Sequence, residues 1–161
     1  MINILVSACL LGENCKWNGR NNSREHIIKL KEKYNLVPFC AEVLGGLPTP
    51  RIPSEIRGNK VINQIELEVT KYFKRGAERT LEIAKNNHCK YAILKDHSPS
   101  CGVNKVYDGT FSRQLIDGQG MTAKLLKKNN IKIFADDEVD KLLELLEGVK
   151  QWKLFLNLLL D

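Results

Sequence analysis

Long apolar runs are missing from this chain, and none approaches the roughly 20 residues that a membrane-spanning helix needs. The opening stretch MINILVSACLLGENC has no basic segment ahead of its apolar part, which breaks at Gly12. It reads as a first strand and not as a signal peptide. Dense basic blocks are missing too. Lys and Arg number 25 against 19 Asp and Glu, a net charge of +6. The lysines are scattered along helix-like faces with no interleaved aromatic stripe, so they read as a solvated surface and nucleic acid is not an expected partner. No repeat, low-complexity tract or linker divides the chain, and residues 1–161 are expected to form a single domain. None of the five cysteines forms a C-x-x-C pair. Zinc ribbons and thioredoxin-like redox sites therefore have no direct support. A cytoplasmic location is expected, where thiols stay reduced and disulfides are rare.

The chain does contain enough apolar residues for a core, 43% against 27% charged, so it needs no disulfide staples. The run INILVSA (2–8) predicts a strand buried on both faces. Further strands are predicted at NLVPFC (35–40), YAILK (91–95) and IKIFA (131–135). Helices are predicted over 23–34, where Ile27, Leu30 and Tyr34 recur at helical spacing, and over 69–87, 120–130 and 136–161. Strands alternate with helices, which predicts an α/β fold: a small, open, mostly parallel sheet with flanking helices, three layers in a Rossmann-like arrangement. The Gly- and Pro-rich stretch 41–60 is expected to be a long ordered loop. The end of the chain, QWKLFLNLLLD, is more apolar than one amphipathic face requires. The 136–161 segment is expected to pack on the core or on a partner subunit, as in a homodimer. A membrane-surface role is disfavoured because the stretch is short and has no cationic face.

Cys9 follows the first strand, Cys40 ends the second, and Cys101 sits in the turn KDHSPSCGV just past the third. In open parallel sheets the ligand crevice lies outside the carboxyl ends of the strands, so these thiols are expected to share one sheet edge. Each is flanked by glycine or small residues, whose backbone amides can turn toward an anionic group. Three thiolates and a free fourth position fit an iron–sulfur cluster able to bind substrate. A zinc site, a catalytic thiol or plain buried cysteines remain open on these grounds. Cys15 is a fourth ligand or a neighbouring free thiol, and Cys89, at the opposite end of its strand, is a packing residue.

The segments SACLLGENCKWNG, VPFCAEVLGGLPTPR with PSEIRG, and LKDHSPSCGVNKVYDGTF with GQGMTA resemble, in order and spacing over residues 1–135, the thiouracil desulfurase (thiouracil desulfidase) family, formerly a domain of unknown function. That resemblance implies an enzyme with an oxygen-sensitive [4Fe-4S] cluster held by three cysteines, matching Cys9, Cys40 and Cys101. It implies non-redox conversion of a thiolated base or nucleoside and water to the oxo base and hydrosulfide. It also places Glu42 in a catalytic role, with Ser98 and, more loosely, Ser100. The chain departs from the family pattern in CAE, where a proline usually precedes the glutamate, in CKWNG, where an arginine–tyrosine–aspartate run is usual, and in FSRQL, where a glycine usually follows the serine. The CKWNG departure bears on the pocket entrance and the exact substrate and leaves the cluster ligands untouched.

Each site residue also has a plain structural explanation. Glu42 could cap a helix or pair with Arg51. Ser98 is a common turn former. Asp96 and His97 are expected to anchor a turn. Arg51 and Glu55 are expected to pair and fix the long loop.

Overall fold

Strand β1 (Asn3–Ser7) divides its side chains between two cores by simple alternation. Leu5 points into one, and Ile4 and Val6 into the other. The computed structural model describes all 161 residues. It pairs β1 in parallel with β2 (Asn35–Phe39) on one side and with β5 (Tyr91–Leu94) on the other. β8 (Lys132–Ala135) adds to β5, again in parallel, giving the order β2-β1-β5-β8. Ile4, Leu5, Val6, Ala92, Ile93 and Leu94 are all fully buried. At roughly 1.5–3 kcal/mol for each large apolar side chain, these two central strands do most to hold the sheet.

Helices cover both faces. On one side lie α3 (Thr70–Asn86) and α4 (Met121–Lys128), which bring Ala84, Ala123 and Leu126 against Leu5, Phe39, Ala92 and Leu94. On the other lie α1 (Glu25–Ile28) and the first half of α5 (Val139–Leu160), with Ile27, Val139, Leu142 and Leu146 against Ile4, Val6 and Ile93. The α/β three-layer architecture is the one the strand–helix alternation predicted. The short helix α2 (Ala41–Leu44) is seated directly on α3. A Cβ on Gly76 would come within 1.9 Å of the Ala41 carbonyl oxygen, so only glycine at 76 allows that approach.

Two expectations need correction. The 41–60 stretch is not a plain loop: after α2 it forms an antiparallel hairpin, β3 (Ser54–Arg57) and β4 (Lys60–Asn63). Val61, with Val69 and Phe73, makes a third, small core beneath that hairpin. The 23–34 helix is only one α turn, α1, followed by a 3₁₀ turn at Lys29–Glu32. Its apolar positions Ile27, Leu30 and Tyr34 still pack against the sheet. A second hairpin, β6 (Lys105–Tyr107) and β7 (Leu115–Asp117), follows the β5 turn. The first half of α5 packs on the sheet, while from Gln151 onward every residue of the helix is exposed. No helix is long and apolar enough to cross a membrane.

Candidate active site

In sheet order, β1 lies between β2 and β5, and the chain leaves β1 toward β2 before returning on the far side to β5. That reversal is a topological switch point, where the strand ends part and leave a crevice. A cavity of about 500 Å³ opens there, and Cys9, Cys40 and Cys101 all line it. Cys9 sits in a 3₁₀ turn (Ala8–Leu11) directly after β1. Cys40 links β2 to α2, and Cys101 is carried by the turn after β5.

The third turn is fixed by its own polar side chains. The Asp96 carboxylate accepts backbone N–H bonds from His97, Val103, Asn104 and Lys105, at 3.0, 2.8, 3.1 and 3.4 Å. Burial pushes this carboxyl up, but the backbone donors outweigh it and hold the group below its ordinary range. Ser98 Oγ accepts from the N–H groups of Ser100 (3.0 Å) and Cys101 (3.1 Å), which sets the Cys101 backbone. The start of α4 closes against the same turn: a Cβ on Gly120 would lie 2.4 Å from the Ser100 carbonyl carbon and oxygen.

Glu42, in the first turn of α2, meets the cavity from the second strand. Its Oε1 accepts from Arg51 Nε at 2.9 Å, and its Oε2 stands 3.4 Å from Ser100 Oγ. Arg51 is thus the partner of Glu42, and the expected Arg51–Glu55 pair does not form. Glu55 instead accepts from the backbone N–H groups of Gly109 (3.0 Å) and Phe111 (3.1 Å), tying the β6–β7 loop to β3. The Arg51 side chain is 5% exposed and that of Glu42 16%. Arg51 also donates through Nη2 to the Cys15 carbonyl at 2.7 Å, and its own N–H bonds the Trp17 carbonyl at 2.7 Å. One guanidinium therefore joins the loop after β1 to the carboxylate after β2.

The thiols differ in character. Burial pushes Cys101 well above the ordinary thiol range and raises Cys9 as well. The Cys40 thiol donates to the Cys15 carbonyl at 3.8 Å, and the Cys15 side chain beside it lowers Cys40 to about 7 and is itself raised. Cys40 is accordingly the thiol most easily ionised near neutrality. Cys15 lines the cavity beside the other three. Cys89 is buried in the core facing α3 and α4, away from the site, as expected of a packing residue.

Part of the cavity lining was not legible as a site in the sequence. Trp17, Tyr107, Phe111, Gln64 and Arg113 also line the cavity. His97 meets Tyr107 edge-on with ring centroids 6.2 Å apart, and the Arg57 guanidinium lies 5.8 Å from the Phe111 ring centre. These residues come from the loop after β1, the β3–β4 region and the β6–β7 hairpin, and no spacing rule connects them.

The 2-thiouracil desulfurase family model matches residues 4–138 of this chain, which includes every strand of the sheet and all four cavity cysteines. The chain belongs to that family. It is 39% identical over 150 residues to an uncharacterized Bacillus subtilis (strain 168) protein, YbbK, an alignment covering 87% of this chain and 99% of that one. A solved structure of a [4Fe-4S]-dependent thiouracil desulfidase, TudS, is similar throughout. The TM-score is 0.86 with 37% identity, covering 91% of this chain and 99% of TudS.

Proposed function

We propose that this protein converts a thiolated pyrimidine base or nucleoside and water into the oxo base and hydrosulfide, at a [4Fe-4S] cluster held by Cys9, Cys40 and Cys101. The observation that carries the reading is the convergence of thiols from three strand ends on one cavity, with the Glu42 carboxylate beside them. The donor set suits a cluster. Three thiols converge on one cavity from three strand ends, and thiolate sulfur is the ligand that iron–sulfur clusters take. When bound, such a cluster supplies a soft Lewis-acidic iron suited to sulfur.

The residues of the chain take the remaining tasks. Trp17, Tyr107 and Phe111 offer flat faces for a pyrimidine ring. Arg51 fixes Glu42 through a nearly buried ion pair. Glu42 accepts the proton of the attacking water at a carboxylate oxygen and returns it to the departing sulfur as general acid. Ser100 stands within reach of Glu42 and relays or steadies that proton, while Ser98 holds the Cys101 turn and lines the cavity. The net reaction needs water alone and no electrons. This reading places the protein in the cytoplasm, with a small-molecule substrate and no nucleic acid or membrane partner.

The test is anaerobic reconstitution, followed by a screen of 2-thiouracil, 4-thiouracil and their nucleosides for sulfide release. A brown protein that absorbs near ~400 nm, bleaches in air and turns over at least one of these substrates is expected. A colourless protein that holds stoichiometric zinc and releases no sulfide would overturn the proposal.

A further inference from the structure

Helix α5 outruns the domain it starts on. Val139, Leu142 and Leu146 follow one stripe of the helix and are buried against the sheet. Continued at 3.6 residues per turn, that stripe carries Lys150, Lys153 and Asn157, which line a groove with Lys33, Tyr34, Val149 and Leu154. The centre of the face turned toward the parent domain therefore becomes polar after Leu146, with Val149 and Leu154 at its flanks. On the opposite side a new apolar stripe begins: Trp152, Phe155, Leu156 and Leu159, at the i, i+3, i+4, i+7 spacing of a helix that packs. All four are exposed, Trp152 59% and Leu159 65%, and the Trp152 and Phe155 rings stack on each other at 5.5 Å.

We propose that this stripe pairs with the same stripe of a second copy of the chain, in an antiparallel helix pair about a two-fold axis. Three observations favour a second copy as the occupant. The first is apolar exposure. Seven large apolar residues between Trp152 and Leu160 are 39–85% exposed, four of them on the stripe itself, a contiguous apolar surface of the kind that marks an interaction site. The second is self-complementarity: with the axis between Phe155 and Leu156, Trp152 of one copy faces Leu159 of the other, as an isologous contact requires. The third is charge. The stripe holds none, and residues 151–161 carry only Lys153 and Asp161. A second copy is therefore not repelled by it. The family match ends at residue 138, immediately before α5, so the pairing is independent of the desulfurase reading.

Sedimentation velocity and light scattering on the anaerobically purified full chain test this. Wild type should run as a dimer over about 1–100 μM, a range that reads micromolar affinities directly. Phe155→Glu combined with Leu159→Glu should run as a monomer, with the dissociation constant raised at least ~100-fold. Because both side chains are exposed, its circular dichroism and cluster content should stay unchanged. Lys153→Glu, on the polar face, should remain dimeric. A monomeric wild type, or a dimer that survives the double substitution, would overturn the proposal. So would flotation of wild type, but not of the double variant, with phosphatidylcholine–phosphatidylglycerol vesicles, which would assign the stripe to a lipid surface.

Discussion

Glu42→Gln separates assembly of the site from its chemistry. Glutamine keeps the length and planarity of the side chain, and its Oε1 can still accept from Arg51 Nε, now 2.9 Å from the carboxylate. It loses the charge that matches a guanidinium only 5% exposed. Breaking a buried pair outright costs about 3–5 kcal/mol, and the retained hydrogen bond should cut this to about 1–2 kcal/mol. In a chain of 161 residues that lowers Tm by roughly 2–8 °C, so the variant still folds. Its cysteine cradle lies on other residues and should hold the same iron content. General acid–base help is worth ~10²–10⁴-fold, and an amide gives none. The expected result is a brown protein, slightly less stable, that binds the thiolated base and turns over ~10²–10⁴-fold more slowly. The assay is sulfide release at matched cluster content beside a thermal melt. Turnover within a few-fold of wild type would refute the role, leaving Glu42 as a support for Arg51.

Cys9→Ala, Cys40→Ala and Cys101→Ala should each abolish stable iron binding, while Cys15→Ala and Cys89→Ala should keep it; iron and sulfide analysis decides, and loss of the cluster in Cys15→Ala would indicate four cysteine ligands. In the metal-free protein, alkylation should strike Cys40 first with a rate that rises through pH about 7, and equal labelling of Cys101 would contradict its burial. The Asp96 carboxyl is held below its ordinary range, so its contribution is fully present above the unfolded value of about 3.9 and fades as pH falls through the lower folded value. Asp96→Asn should therefore cost about 1–3 kcal/mol at pH 7, and denaturant titrations should find the gap closing toward pH 3 or below. Gly120→Ala, whose Cβ would meet the Ser100 backbone at 2.4 Å, should lower both stability and cluster content. Gly148→Ala, where the Cβ meets nothing within 4 Å, should stabilise α5 by about 0.5–1 kcal/mol.

The central sheet was legible because β1, β2, β5 and β8 carry apolar runs in a chain where helices separate them. The strand ends then located the three thiols, and β1, lying between its neighbours, brings their ends together. The hairpins were hidden for the opposite reason. All three residues of β7 are exposed, and Glu55, a carboxylate in β3, is buried as an acceptor for backbone N–H groups. Neither leaves an alternating pattern. The expected Arg51–Glu55 pair followed proximity in sequence. The observed pair reaches back nine residues to Glu42, because α2 rests on α3 at Gly76 and turns its first turn toward the loop. Trp17, Tyr107 and Phe111 were invisible as a group, since one ring comes from the loop after β1 and two from the β6–β7 hairpin, far apart in sequence.

The most direct test of the account is the stoichiometry of turnover by the reconstituted protein in anaerobic buffer without any electron donor or acceptor. The account predicts multiple turnovers in which each thiouracil consumed yields one uracil and one hydrosulfide, from a cluster anchored by Cys9, Cys40 and Cys101 alone. A fully loaded cluster that releases no sulfide, or releases it only when a reductant is supplied, would contradict it.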